Sequence, residues 1–285
     1  MAKKKIGFID LHIDEWHANN YPAWFSASKH AAGFELGYAW EESPNPDGKP
    51  LAEWCAQFSM TPAKDIAEVI EKSDAICVLA PSNPEAHARL SDLALRSGKP
   101  LYIDKTFAPD RATAEGFFAL AEQHGTPLMS SSALRYGEEL VKELTEGKFG
   151  AQKPTFVSTT GGGSSFQEYA IHQIEMIVSA LGTGARSVTR LDCATSFFTV
   201  KYADGVRGAS ISYNRNLNFY AVLGNPSGAS LVLDGTRMFE HLLDHILEFY
   251  TTGVSPIPKE QTIEVAAIRE AALKADANPG VEIML

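Results

Sequence analysis

The chain has 285 residues, enough for one or two domains. Its hydrophobic fraction of 45% and charged fraction of 21% are those of an ordinary globular protein and exclude disordered, collagen-like and coiled-coil chains. With 25 basic and 35 acidic residues the formal net charge is −10, which argues against binding the phosphate backbone of a nucleic acid.

The sequence predicts no membrane segment and no secretory signal. Its longest apolar runs fall short of the roughly 18–20 residues that a membrane helix needs, and Met1–Lys5 leads straight into the strand-like Ile6–Ile9. Cys55, Cys77 and Cys193 are too widely spaced for a disulfide framework or a zinc pattern. We therefore expect a reducing cytoplasm.

In the first half, predicted strands alternate with predicted helices. Asn83 and Pro84 supply a helix start, Asp110 another, and Gly125 follows the end of the second helix. This alternation predicts an α/β Rossmann-type fold with a doubly wound parallel sheet. The predicted strands span residues 5–9, 34–40, 74–80, 101–104 and 127–131.

The second half predicts an α+β domain with a mostly antiparallel sheet. A helix is expected at 167–181, and turn residues at 203–205 and 225–228 separate β-rich segments into hairpins. These segments are 156–160, 187–193, 197–202, 209–214, 219–223 and 229–233, followed by helices near 237–250 and 260–274. We divide the chain into a Rossmann-like domain, 1–133, and a substrate and oligomerisation domain, 134–285.

Four polar segments follow predicted parallel strands, and ligands of such sheets bind beyond the carboxyl ends of the strands. They are Asp10–His17, Glu41–Glu42, Pro81–Asn83 and Asp104–Thr106. Lys105 in the last segment can donate to a substrate oxygen or act as an acid. The alternative is a surface lysine paired with Asp104.

Glu168 and His172 are four residues apart on the predicted helix 167–181, so the carboxylate can orient and charge the imidazole. The pair is a candidate general acid/base. The alternative is a solvated helix face with an incidental ion pair.

Several of these segments together resemble the Gfo/Idh/MocA family of sugar and polyol oxidoreductases. Pro81–His87 and Tyr102–Thr106 carry the resemblance in the first half, where Lys105 matches the lysine of the family's Glu-Lys-Pro motif. In the second half, Gly161–Gly163, Glu168 and His172 match a triple glycine followed by Asp-x-x-x-His, and Arg135 matches an arginine of the segment that enters the second domain.

The resemblance implies an NAD or NADP cofactor, a small sugar- or polyol-like substrate, and a homo-oligomer formed through the antiparallel sheet. It places catalysis on Lys105, His172 and Glu168, with Arg135 as a further substrate contact. The expected cofactor-binding residues are Asp10, Leu11, His12, Ile13, Glu41, Pro81, Asn83, His87 and Asp104.

The first loop departs from the family, because none of its three glycines is present and Asp10, Asp14 and Glu15 bring negative charge to the phosphate position. Two unit charges 4 Å apart repel by roughly 4 kcal/mol at an effective dielectric constant of about 20. A helix N-terminus returns only about 0.3–1 kcal/mol per exposed anion. An alternative is therefore a nicotinamide-independent lyase or isomerase, or a non-catalytic sugar-binding relative.

The same loop is rich in metal-ligand types and in aromatic residues. His12, Asp14, Glu15 and His17 match no zinc spacing, so we predict no metal there. Trp16 is a candidate platform for a sugar ring, whereas Trp24 and Phe25 are expected to pack in the core around the first helix or at a domain interface.

Overall fold

The computed structural model describes residues 2–233 and 235–285, which form two compact units. The first unit comprises Met1–Ser131 with Phe239–Pro258, and the second comprises Ser132–Met238 with Lys259–Leu285. Within the described ranges, no helix is long and apolar enough to cross a membrane.

The first unit contains a parallel sheet of six strands flanked by helices. Its elements are β1 (Lys4–Asp10), α1 (Trp16–Ala27), a 3₁₀ turn (Ala31–Gly33), β2 (Phe34–Glu41), α2 (Leu51–Phe58), β3 (Thr61–Pro62), α3 (Ile66–Lys72), β4 (Ala75–Val78), α4 (Pro84–Leu95), β5 (Leu101–Ile103), α5 (Arg111–Gln123) and β6 (Leu128–Met129).

The order of this sheet is β3-β2-β1-β4-β5-β6, and every neighbouring pair is parallel. The central strand β4 is buried along its whole length, as its near-continuous apolar sequence predicts. The order reverses between β1 and β4, where doubly wound folds bind their ligands beyond the strands' carboxyl ends. Asp10 is the last residue of β1 at this point. The parallel sheet and its strand order confirm the predicted Rossmann-type architecture.

The second unit contains a mostly antiparallel sheet of seven strands in the order β12-β11-β7-β10-β9-β8-β13. Only the β7–β10 pair among its described pairings is parallel. Its elements are a 3₁₀ turn (Ala133–Tyr136), α6 (Glu138–Thr145), α7 (Lys148–Ala151), β7 (Phe156–Gly161), α8 (Phe166–Leu181), β8 (Ala185–Arg190), β9 (Ser196–Tyr202), β10 (Gly208–Tyr213), β11 (Tyr220–Asn225) and β12 (Gly228–Leu233). After α9 (Met238–Thr252), most of which belongs to the first unit, the second unit continues with α10 (Lys259–Ala277) and β13 (Glu282–Met284).

The chain does not divide simply into the predicted ranges 1–133 and 134–285. Most of the helix α9 belongs to the first unit, although it follows the strands of the second unit in the sequence. The hydroxyl of Tyr250 donates to the carbonyl of Ile76 in β4 at 2.8 Å. The ring of Phe239 stacks on that of Trp24 at 4.5 Å. Both contacts join residues more than a hundred positions apart, so local sequence patterns could not reveal the return of the chain.

Candidate functional site

The amide groups at the carboxyl end of β1 are occupied by the side chain of Asp10. Its Oδ1 accepts hydrogen bonds from the backbone N–H of Leu11 at 2.6 Å, of His12 at 3.4 Å, and of Ala80 at 3.0 Å. Asp10 is 1% exposed. The carboxylate thus lies among the backbone donors of the β1–α1 turn (residues 11–15), where a glycine-rich turn would leave them open to a phosphate.

Glu15 occupies the N-terminus of α1 in the same way. It is the N-cap residue, and its carboxylate accepts from the N–H of His17 at 2.8 Å and of Ala18 at 2.5 Å. The first-turn amides of a helix are its anion-binding groups, because they have no partner within the helix. Glu15 therefore supplies the anion that a bound pyrophosphate would supply.

Glu41, predicted to contact a cofactor, accepts instead from the N–H of Ile13 at 3.0 Å. Its neighbour Glu42 forms an exposed ion pair with Arg89 at 2.6 Å. Six backbone N–H groups around the turn consequently face carboxylate oxygens of the chain itself. In this conformation the turn does not fit the pyrophosphate of a dinucleotide.

The two carboxyl groups nearest the turn hold their protons more tightly than usual. Burial, reinforced by the charge of Glu15, raises the pKa of Asp10 well above its ordinary value. Burial also raises the pKa of Glu15, with a further contribution from Asp104. The other oxygen of Asp10, Oδ2, is buried without a hydrogen-bond partner.

Asp104, at the carboxyl end of β5, is the centre of a buried polar network. Its Oδ2 lies in a short contact with Nδ1 of His17, and its Oδ1 lies 3.1 Å from the hydroxyls of Tyr21 and Tyr102 and 2.8 Å from the N–H of Lys105. Burial alone would raise the pKa of Asp104, but the pairing with His17 and the nearby Lys105 lowers it below the usual value. The carboxylate therefore stays charged and orients the imidazole.

Lys105, the predicted catalytic lysine, follows β5 and is 8% exposed. Its Nζ lies 3.4 Å from the carbonyl of Pro81, the segment that follows β4. Lys105 is therefore not a surface lysine, although its charge lies close enough to Asp104 to lower the pKa of that carboxyl. Lys105 and Pro81 come together at one edge of the sheet, as the strand ends predict.

Two further residues of the first unit that were predicted to contact the cofactor, Asn83 and His87, differ in whether their polar atoms are already hydrogen-bonded. Asn83 precedes α4 and is exposed, and its side chain makes no capping hydrogen bond. His87 is fully buried, and its two ring nitrogens face the carbonyls of Phe107 and Leu79. Burial lowers the pKa of His87. A cofactor contact by His87 stays a prediction, and the carbonyls already use both of its nitrogens.

The four candidate metal ligands of the first loop have separate partners. His12 lies 2.8 Å from the carbonyl of Ser43, whereas Asp14 accepts from Asn19 and from the N–H of Lys49. Glu15 and His17 have the partners given above. Among residues 2–233 and 235–285, no group of three His, Cys, Asp or Glu side chains could hold a metal ion.

Aromatic side chains surround His17 on α1. Trp16 is 54% exposed, with its ring 5.2 Å from that of His17 and 5.2 Å from that of Phe239. Phe25 is buried in the core, as expected, whereas Trp24 is half-buried and stacks on Phe239. Trp16 therefore presents a ring face at the surface beside the Asp104 network.

In the second unit, α8 carries the predicted acid/base residues. His172 is half-buried, and its Nδ1 lies 2.8 Å from the hydroxyl of Ser132. The carboxylate of Glu168 accepts from the hydroxyl of Ser164 at 2.5 Å. The pairing of Glu168 with His172 stays a prediction.

Close packing explains the glycines that precede α8. A Cβ on Gly162 would lie 2.3 Å from the carbonyl oxygen of Asn214, and Gly163 has a φ of +147° with the ring of Tyr169 in the place of a Cβ. The end of β7 thus lies against the loop 214–219 and the first turn of α8. The glycine motif is a packing feature that positions the helix bearing His172.

Arg135, a predicted substrate contact, is largely engaged inside the second unit. Its Nε donates to Glu175 at 2.8 Å, and its Nη1 donates to Gln261 at 2.8 Å. The side chains of Arg135 and Glu175 are 10% and 5% exposed. The arrangement is a buried ion pair that joins α8 to the start of the unit.

Comparison with family models finds no match for this chain. A dTDP-3,4-didehydro-2,6-dideoxy-alpha-D-glucose 3-reductase from Actinomadura kijaniata is 33% identical over 75 residues, which are 26% of this chain and 23% of that reductase. The sequence match therefore covers less than a quarter of the curated relative.

Solved structures match over the full length. GenD2 from gentamicin A biosynthesis, in complex with NAD, has a TM-score of 0.79 at 12% identity, covering 100% of this chain and 97% of that one. Scyllo-inositol dehydrogenase from Lactobacillus casei, with NAD(H) and scyllo-inositol, has a TM-score of 0.79 at 13% identity, covering 99% of both chains. The chain has the fold of the Gfo/Idh/MocA-type dehydrogenases. The resemblance stated from sequence motifs is confirmed at the level of the fold.

The convergence of His17, Tyr21 and Tyr102 on Asp104 was not predicted from the sequence. A signal was present, because Tyr21 follows His17 by four residues on α1 and Tyr102 precedes Asp104 by two in the strand. Residues four apart share a helix face and residues two apart share a strand face. That these side chains of α1 meet Asp104, just after β5, was not readable from either pattern.

Proposed function

We propose that the chain is an NAD- or NADP-dependent oxidoreductase that acts on a hydroxyl group of a sugar, a polyol or a related compound. The observation that carries the proposal is the agreement of fold along the whole chain with dehydrogenases whose solved structures hold NAD. The partial match to a sugar-nucleotide reductase supports the same substrate class.

The proposed roles follow from side-chain chemistry within each unit. Lys105, enclosed at the carboxyl edge of the parallel sheet, orients and polarises the substrate oxygen. His172 accepts the hydroxyl proton, and Glu168 tunes its basicity. Arg135 and Trp16 contribute substrate contacts, Trp16 through the exposed face of its ring.

We further propose that the cofactor lies along the carboxyl ends of the first unit's strands, near Leu11, His12, Ile13, Pro81 and Asn83. The partner is a small molecule rather than a nucleic acid or a membrane, in agreement with the net charge of −10. A cytoplasmic homo-oligomer formed through the seven-stranded sheet completes the proposal.

The second candidate is a nicotinamide-independent lyase, isomerase or binding protein for sugar-like ligands. One observation favours it: the carboxylates of Asp10, Glu15 and Glu41 already occupy the amides that a pyrophosphate needs. Under this candidate, Lys105 and His172 would still transfer protons, with no change in the oxidation state of the substrate.

Titration of the purified chain with NADH and NADPH, followed by nicotinamide fluorescence, separates the two candidates. Binding of either supports the oxidoreductase. The absence of binding of both at millimolar concentration, at every pH between 5.5 and 8.5, rejects it in favour of the second candidate.

If a nicotinamide binds, oxidation of a panel of polyols and sugars is followed by the absorbance at 340 nm. Lys105→Ala and His172→Ala are expected to lower kcat by about 10²–10⁴, the usual contribution of a positioned proton-transfer group. The controls are Lys64→Ala and His124→Ala, which change exposed residues of the same types. Equal rates in catalytic variants and controls would remove both assignments.

A further inference from the structure

The backbone N–H groups around the β1–α1 turn already donate hydrogen bonds to carboxylates of the same chain. Asp10 satisfies three backbone N–H groups, Glu15 two and Glu41 one, with distances between 2.5 and 3.4 Å. Hydrogen bonds from N–H groups to an ionised carboxylate are about twice as strong as neutral ones. A pyrophosphate can reach these donors only after the carboxylates of the chain have left them.

Of the three acids, Asp10 has a buried carboxylate oxygen that accepts no hydrogen bond. Its Oδ1 accepts all three hydrogen bonds, whereas Oδ2 is buried without a partner. A buried carboxylate oxygen with no donor destabilises the charged form of the group. The geometry therefore favours a proton on Asp10, and the missing partner distinguishes this residue from an ordinary capping acid.

We propose that Asp10 and Glu15 are a removable internal substitute for the dinucleotide's pyrophosphate, so that cofactor binding requires these two side chains to take up protons and leave the turn. The proposal rests on the proposed function, since it concerns how the same cofactor enters. It adds a proton-linked control of cofactor affinity.

The groups around the two carboxyls reinforce this linkage. Asp10 and Glu15 repel each other, and Asp104 adds to the repulsion at Glu15, while the charge of His17 opposes it. A displaced but still ionised carboxylate would face the pyrophosphate as a like charge. The titratable and charged groups on the surrounding elements are His12 on the turn, His17 and Tyr21 on α1, Glu41 on β2, Cys77 on β4, and Asp104 and Lys105 after β5.

The sign of the pH dependence follows from the direction of the pKa shifts. Burial raises the pKa of both Asp10 and Glu15. Above those raised values the free protein carries ionised carboxylates, and binding must take up a proton for each one that it neutralises. By linkage, the dissociation constant then rises up to about tenfold per pH unit for each proton, and it levels off at a pH below the raised pKa.

The experiment is calorimetric titration of the full chain with NAD between pH 5.5 and 8.5, in two buffers of different ionisation enthalpy. The buffer difference measures proton uptake directly. Asp10→Gly/Glu15→Ser removes both carboxylates and keeps a neutral hydroxyl cap on α1. Asp47→Asn, in the exposed loop after β2, removes one negative charge without touching the turn.

The wild-type chain is expected to take up at least half a proton per NAD at pH 8, with affinity falling as the pH rises. The double variant is expected to bind NAD at least tenfold more tightly at pH 8, with no proton uptake. Asp47→Asn should match the wild type within twofold. If the double variant does not fold, Asp10→Asn/Glu15→Gln keeps the side-chain shapes and is likewise expected to abolish proton uptake.

The outcomes separate this inference from the proposed function. Tight, pH-independent binding of NAD by the wild type would overturn the inference and leave the oxidoreductase standing. Binding by the double variant alone would show that the two carboxylates block the turn at every pH, which would overturn their removal by protons and remove nicotinamide chemistry from the native chain. No binding by any variant at any pH would overturn both.

Discussion

Replacement of Asp104 by asparagine tests the buried network at the carboxyl end of β5. The substitution keeps the shape of the side chain and one carbonyl oxygen, which can still accept from Tyr21, Tyr102 and the N–H of Lys105. The amide NH₂ then replaces Oδ2 opposite His17. The change therefore removes the charge and one charge-assisted hydrogen bond while preserving the packing.

The expected loss of folding free energy depends on the buried hydrogen bond between Asp104 and His17. A hydrogen bond to a charged group contributes about 1.5–3 kcal/mol, and breaking a buried ion pair costs about 3–5 kcal/mol when the remaining charge has no partner. Asparagine keeps the other three hydrogen bonds of the network, so the lower range applies. We expect Asp104→Asn to reduce the free energy of unfolding by about 2–3 kcal/mol at pH 7.

The pH dependence has a definite sign. Because the folded-state pKa of Asp104 is lowered, its stabilising contribution is present above the unfolded-state pKa of about 3.9 and is lost as the pH falls through the folded-state value. The difference between wild type and Asp104→Asn should therefore shrink in strong acid.

Urea unfolding followed by tryptophan fluorescence measures this change in the first unit alone, since Trp16, Trp24, Trp40 and Trp54 all lie there. The control is Asp92→Asn, which breaks an exposed pair with Arg96 and should cost about 0.3–0.5 kcal/mol. Equal losses in the two variants at pH 7 would refute the reasoning.

Three further predictions concern packing and reactivity. Glu175→Gln leaves the buried Arg135 without its counter-charge and should destabilise the second unit by about 3–5 kcal/mol, measured by circular dichroism during urea unfolding; a loss below 1 kcal/mol would contradict a buried pair. Gly162→Ala should cost about 1–3 kcal/mol, because the added Cβ meets backbone oxygens, whereas Gly116→Ala, with open space around it, should not destabilise the chain. One thiol per native chain, Cys193, should react rapidly with a disulfide reagent at pH 8, because burial raises the pKa of Cys55 to about 11 and that of Cys77 well above its ordinary value; two fast equivalents would contradict the assignment.

Local patterns identified most of the elements. The predicted helix 167–181 differs from α8 by one residue at its start, and the strand predicted at 34–40 extends by one residue as β2. Apolar periodicity and turn chemistry act over a few residues, so they are readable without the fold. The short β3, with two residues, has no such period and escaped notice.

The placement of Lys105 was also predictable, because the carboxyl ends of parallel strands meet at one sheet edge. The partners of the first loop were not. From the sequence, Asp10 and Glu15 were expected to lie at the phosphate position and to repel a phosphate. In the structure, both carboxylates accept hydrogen bonds from backbone amides. The orientation of a side chain depends on which donors the folded backbone offers, and those donors come from distant segments such as Ala80.

The order of residues alone determined the alternation of strands and helices, the hairpins of the second half and the edge of the sheet where reactive groups gather, because each follows from interactions between near neighbours. Tertiary structure alone decided that α9 returns to the first unit and that His17 and Asp104, 87 positions apart, meet inside it. Such meetings depend on how whole elements pack to bury apolar surface, and a strand or helix carries no local mark of the element that will cover it.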